Sequence, residues 1–175
     1  YDQLKVTRID SLKRSYQQAD SPAGKYEQAL RLYDEYKIYQ FDSAFTYASI
    51  MEETAVTLND ESKLTDSRKN LAFILLSAGK FSESFAYLQR LDVHHLPDSM
   101  KADYFTLMGR YYHDLADYNS DDIFSPRYRQ MGNNNFDSAL AYIPAGSFEY
   151  LYYSGLKNLK QDSLVRNIGI VSQET

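Results

Sequence analysis

The stretch Asp117-Tyr118-Asn119-Ser120-Asp121-Asp122 sets oxygen donors at alternating positions, as a calcium loop does, because a hard cation takes its ligands from carboxylate and amide oxygens. The rest of that pattern is missing. The sixth position, where such a loop needs glycine for its sharp turn, is Asp122, and the twelfth, where a bidentate glutamate closes the shell, is Tyr128. The stretch therefore reads as a polar inserted loop carrying Asx-turns. The three histidines make a poor ligand set: His94 and His95 are adjacent, so on a helix their side chains diverge by about 100°, and His113 lies in another element. No His-Glu-x-x-His pattern, nucleophile elbow, Walker loop or dinucleotide fingerprint occurs, and cysteine is absent. Carboxylate pairs such as Glu52-Glu53 are consecutive on a helix surface and do not converge. The expectation is a chain with no catalytic residues, no metal and no cofactor.

Tyrosine is the other residue type with chemical potential. There are 17, many clustered in Tyr33-Asp34-Glu35-Tyr36-Lys37-Ile38-Tyr39, Tyr111-Tyr112 and Tyr150-Leu151-Tyr152-Tyr153. Exposed in a groove they would stack on a sugar or a peptide; placed at helix-packing positions, where most of them fall, they are core and ridge residues. The formal net charge of −5, with lysine and arginine scattered, leaves no basic stripe for nucleic acid. The longest apolar run, Leu71 to Leu76, is far short of the ~20 residues that cross a bilayer. A start at Tyr1 and an end without a helix-closing signal read as a fragment of a longer protein, so any leader or membrane segment is expected outside it.

The elements that must position these residues are announced by one phrase written three times, at Phe41 to Ala48, Phe81 to Leu88 and Phe136 to Ile143. The copies begin 40 and then 55 residues apart, which suits a helix-pair repeat with one large insertion. In the clearest unit, Leu71-Ala72 with Leu75 marks the first helix, Gly79-Lys80-Phe81 the turn, and Ser84, Leu88 and Leu91 one face of the second helix. A third unit has Met108-Gly109 and Tyr112 followed by Ala139 and Ile143, and the first has Ala29-Leu30 and Tyr33 followed by Ala44 and Ala48. Ser21-Pro22, Asp60 and Asp98 mark helix starts, and Asp42 and Asp137 are placed in first turns of second helices, where a negative charge suits the helix dipole. A leading helix with Leu4, Ile9, Leu12 and Tyr16 on one side caps the stack.

These residues resemble the tetratricopeptide consensus. The resemblance implies an all-α, right-handed solenoid of tetratricopeptide-like helical hairpins, with roughly nine helices forming one repeat domain over 1–175. Its parts are a leading helix over 2–19, unit one over 22–58, unit two over 61–96, unit three over 98–145 with an insertion at 117–134, and a partial unit four over 147–175. Within that last part, Gln161-Asp162-Ser163-Leu164 is a worn copy of the phrase. Aligning the units on Ala72 and Gly109 puts Asp66, Lys69, Phe73 and Leu76, then Asp103, Thr106, Arg110, His113 and Asp114, on a concave groove face suited to a peptide or protein partner.

Tyr1-Asp2-Gln3-Leu4-Lys5, Arg8-Ile9-Asp10-Ser11-Leu12 and Tyr36-Lys37 to Ala44 further resemble the sensor region of Bacteroides-type membrane-anchored transcriptional regulators. That resemblance implies a periplasmic, non-catalytic interaction or ligand-sensing module of an inner-membrane protein, recognising a peptide, a protein or a glycan-derived signal. Without it, the chain would be a cytoplasmic scaffold or adaptor, and a carbohydrate-binding module using exposed tyrosines is the third reading.

Overall fold

A computed structural model describes residues 2–158. Seven α-helices come first: α1 (Asp2–Gln17), α2 (Pro22–Tyr36), α3 (Phe41–Leu58), α4 (Glu61–Ser77), α5 (Phe81–Leu88), α6 (Asp98–Asn119) and α7 (Ser125–Leu140). A 3-10 turn, Val93–His95, precedes α6, and an eighth helix, α8, covers 148–158. The described residues contain no strand. The ninth helix expected around Gln161 lies outside them. No described helix is long and apolar enough to cross a membrane.

The chain divides into two compact units, Tyr1–Leu91 and Asp92–Thr175. In the first, each helix packs on its predecessor in chain order. Small residues make that possible: Ala29, Ala44, Ala48, Ala55 and Ala72 are fully buried where helices cross, and Leu32, Tyr33, Met51 and Leu71 fill the space between them. Two tyrosines one heptad apart repeat a single bond. Tyr26 Oη donates to the Lys63 carbonyl (3.1 Å) and Tyr33 Oη to the Asn70 carbonyl (3.3 Å), each reaching 37 residues ahead from α2 to α4. Helix starts are as the sequence indicates. Ser21 Oγ accepts from Gly24 N with Pro22 next in line, and Asp60 Oδ1 accepts from Lys63 N at 3.0 Å. On α1, Ile9, Leu12 and Tyr16 pack on the core, but Leu4 is 80% exposed: five residues before Ile9, it falls off the docking stripe. Leu91 is buried as expected, although α5 has already ended at Leu88.

The second unit departs from the sequence reading where a polar loop was expected. Residues 117–134 are mostly helical: α6 runs to Asn119, α7 starts at Ser125, and only 120–124 link them. Pro126 sits in the first turn of α7, where a missing N–H costs nothing, and Gly132 is a packing glycine inside the helix. The third copy of the phrase consequently ends a helix instead of starting one. Asp137 lies in the last turns of α7, where its charge is offset by an ion pair with Lys157 of α8. Pro97 takes the cap position of α6, so Asp98 is the first helical residue.

Phe136, 1% exposed, lies against Gly109, where an added Cβ would stand 2.6 Å from its ring; a Cβ on Gly132 would stand 2.6 Å from the ring of His113. His113, Phe136 and Tyr153 stack in sequence at 5.3 and 5.9 Å. Near the link, Ser125 Oγ donates to the Ala116 carbonyl at 2.9 Å, the same contact that Ser84 Oγ makes with the Ala72 carbonyl at 2.8 Å in the first unit.

Candidate functional site

Lys5, Ile9 and Lys13 follow one another at four-residue spacing on α1, so one helix face carries two ammonium groups either side of an isoleucine. Docking of that face brings it against the end of α2 and the start of α3. Between them lies an open trough of about 400 Å³ lined by Lys5, Val6, Ile9, Asp10, Lys13, Tyr36, Tyr39 and Gln40. It runs into a second hollow of about 220 Å³ that shares Lys13 and Tyr36 and adds Asp42, Ser43, Thr46 and Tyr47.

Its wall is a row of tyrosines. Tyr36 stacks on Tyr47 at 5.9 Å with the rings 2° from parallel, Tyr16 meets Tyr47 edge-on at 6.0 Å, and Tyr39 leans on Tyr36 at 6.2 Å. Lys5 Nζ sits 3.7 Å above the centre of the Tyr39 ring. The hydrogen bond to Tyr36, helped by the electrostatic pull of the same phenol, raises the pKa of Lys13. Burial raises the Tyr47 phenol, so its hydroxyl stays protonated. Ring faces are thus taken up by other rings and by Lys5, and what the trough offers a ligand is two ammonium groups, phenol hydroxyls, the amide of Gln40 and the single carboxylate of Asp10. The excess of ammonium groups suits a carboxylate or another anionic group on an elongated molecule. The spacing of Lys5 and Lys13, and of Tyr33, Tyr36 and Tyr39, was visible in the sequence; that α1 would close over Tyr36 was not.

The groove candidates meet different fates. In the first unit Asp66 and Lys69 are half-buried and pair along α4 at 3.0 Å, Phe73 is half-buried, and Leu76 is buried at 3% exposure, in the core instead of on a groove face. In the second unit Arg110 and Asp114 pair along α6 at 3.2 Å, and Asp103 is exposed. Thr106 is half-buried and faces Tyr153 of α8, whose phenol burial holds in the protonated form. His113 is 2% exposed, beneath Gly132, because α7 begins about three turns before the Phe136 start that the repeat implies and covers that face of α6. No three described histidine, aspartate or glutamate side chains converge on a metal position. Asp117 and Asn119 are helical, Asp121 caps the link through its carboxylate, and His95 Nδ1 lies 2.7 Å from Asp92 at the turn before α6.

Of the described tyrosines, Tyr26, Tyr33, Tyr36 and Tyr111 are buried, and Tyr39, Tyr118, Tyr142 and Tyr152 are exposed. The other eight described tyrosines are half-buried, so packing is the main use of this residue type. Tyr142 lies flat on Phe105 and Tyr152 on Phe148, so exposed rings also spend a face on a neighbour.

Neither the curated proteins nor the solved structures provide a match to the chain. The family model of the SusR N-terminal TPR domain matches residues 1–174. Matched over nearly its whole length, all-helical where described, and built from hairpins with small residues at their crossings, the chain belongs to the SusR N-terminal TPR domain family.

Proposed function

We propose that this chain is a non-catalytic interaction and ligand-sensing module, the periplasmic input region of a membrane-anchored transcriptional regulator. The match to a regulator-family TPR domain over residues 1–174 carries the reading. The trough on the first unit is the seat of the signal, and an acidic peptide or protein segment is the ligand class its lysines and phenols suit. The remaining face residues Asp66, Lys69 and Phe73 on α4, and Asp103, Arg110 and Asp114 on α6, extend the contact surface of their own units. The mechanism is a shift between conformations that the ligand binds unequally, passed to the output part of the protein.

Two measurements test this. Calorimetric titration with acidic and neutral decapeptides and with neutral oligosaccharides gives heat only for the acidic peptides, and Lys5→Glu with Lys13→Glu removes it. Heat with oligosaccharides that survives the double variant moves recognition elsewhere and revives the carbohydrate reading. In the intact gene, a segment of ~20 apolar residues followed by a helix-turn-helix pattern supports the regulator reading; its absence returns the chain to the scaffold or adaptor class.

A further inference from the structure

The trough on the first unit has a length, a width and an order of charges, and together these select among acidic ligands. Of the α1 residues that line it, Lys5 and Lys13 stand at the two ends, with Val6, Ile9 and Asp10 between them. Eight residues of helix put those ends about 12 Å apart. On the facing wall Lys5 Nζ lies 3.7 Å above the Tyr39 ring, and Lys13 Nζ lies 6.0 Å from the centre of the Tyr36 ring. Lys37, Lys63, Lys69 and Lys101 each pair with an aspartate three residues earlier. Lys13 has Asp10 in that same relation, yet it turns to Tyr36 and makes no such pair. Both ammonium groups are thus presented to the trough, and Asp10 sets one carboxylate between them.

Width excludes a helical ligand. A volume of about 400 Å³ spread over about 12 Å leaves a section of roughly 35 Å², enough for one extended chain and about a third of what a helix with its side chains fills. An extended peptide advances about 3.3 Å per residue and turns alternate side chains to one face. Side chains four residues apart therefore share a face and stand about 13 Å apart, matching the span from Lys5 to Lys13. The side chain midway falls beside Ile9, about 6 Å along from Lys5, where it finds apolar contact and where Asp10, one residue further on, repels a third acid. Backbone polar groups of such a chain find partners in the Tyr39 hydroxyl and in the side chain of Gln40, which makes no capping bond to α3.

We infer that the trough takes an extended peptide segment with two acidic residues four positions apart and an apolar residue midway, one carboxylate on Lys5 and the other on Lys13. The inference rests on the acidic-peptide reading of the trough and narrows it to one spacing.

Calorimetric titration of the whole chain at low salt tests it, with capped decapeptides of a single composition: two glutamates and one leucine in a serine-glycine background. Only the spacing of the glutamates differs, at two, three or four positions. The four-apart peptide with leucine midway binds about fivefold or more tighter than either isomer. Lys5→Gln and Lys13→Gln, each checked for folding by circular dichroism, erase that preference, and glutamate in place of the midway leucine weakens binding although it adds a charge. Equal affinity for the three spacings, a preference for another spacing, or a preference for four that survives both single variants overturns the inference. If binding of that kind is still lost in the Lys5→Glu, Lys13→Glu double variant, the acidic-peptide reading stands without it. No heat from any of the three peptides, or heat unchanged in the double variant, overturns both.

Discussion

The α4–α5 hairpin and the α6–α7 hairpin solve one packing problem at two lengths. Both anchor the start of the second helix by the same hydroxyl-to-carbonyl bond, Ser84 to Ala72 and Ser125 to Ala116, close to the turn. The short hairpin turns at Gly79 (φ 70°), and its second helix, eight residues long, crosses its partner once. The long one turns at Ser120, and its 16-residue second helix stays against α6 for four turns. One anchor cannot hold helices together over that distance, so further close approaches are supplied by Gly109, against Phe136, and Gly132, against His113. A repeat can therefore be lengthened without a loop, provided glycine replaces larger residues wherever the longer helices meet.

The largest effect that would break this account is at Phe136. If its ring fills the space over Gly109, Phe136→Ala should cost about 3–5 kcal/mol in urea unfolding of the second unit. An unaltered midpoint would mean that the long hairpin is held elsewhere. Next in size are Gly109→Ala and Gly132→Ala. Alanine favours a helix by about 1 kcal/mol over glycine, but the new Cβ meets buried rings at 2.6 Å, and overpacking costs about 1–3 kcal/mol. A net loss of up to about 2 kcal/mol is expected at each, and a gain would show that the rings move aside freely.

Much of the first unit was readable from local sequence because its signals are local. Ser21-Pro22 and Asp60 cap helices within three residues of themselves, and Ala72 and Ser84 lie 12 residues apart across a glycine turn. The second unit hides its signals at a distance. Asn133, Asn134 and Asn135, with Gly132 and Pro126, have the composition of a loop, and only their neighbours on α6, about twenty residues earlier, give them helical meaning. Reading the third phrase as a helix start leaves the first three turns of α7 as loop, and without those turns nothing in the sequence covers His113, which lies in the core. The trough failed to register for a related reason. Its lysines and tyrosines belong to segments whose proximity depends on how α1 docks, and tyrosine spacing alone looks the same in a core.

The shared serine anchor offers a finer comparison. Ser84→Ala and Ser125→Ala each remove the donor to a buried carbonyl, so each should cost about 1–2 kcal/mol. Similar losses would support a common device. A much smaller loss at Ser125 would show that the Asp121 turn holds the long hairpin without it.

The smallest effect concerns acid. Asp60, at the start of α4, and Asp121, in the α6–α7 link, accept backbone N–H bonds, from Lys63 and from Phe124 and Ile123 respectively, and these bonds lower the pKa of both carboxyls. A carboxyl with a depressed folded-state pKa adds stability that is complete above its unfolded value and lost as pH falls through the folded one, so the window lies below about pH 4. Both side chains are partly open to solvent and the contribution is small. Carboxyl NMR titration should therefore place both midpoints below that of an aspartate in an unstructured peptide. Asp121→Asn should flatten the fall in stability of the second unit on acidification and leave that of the first unchanged. If Asp121 titrates like a free aspartate, its cap is not closed in solution, and the α6–α7 link is held by the Ser125 anchor without it.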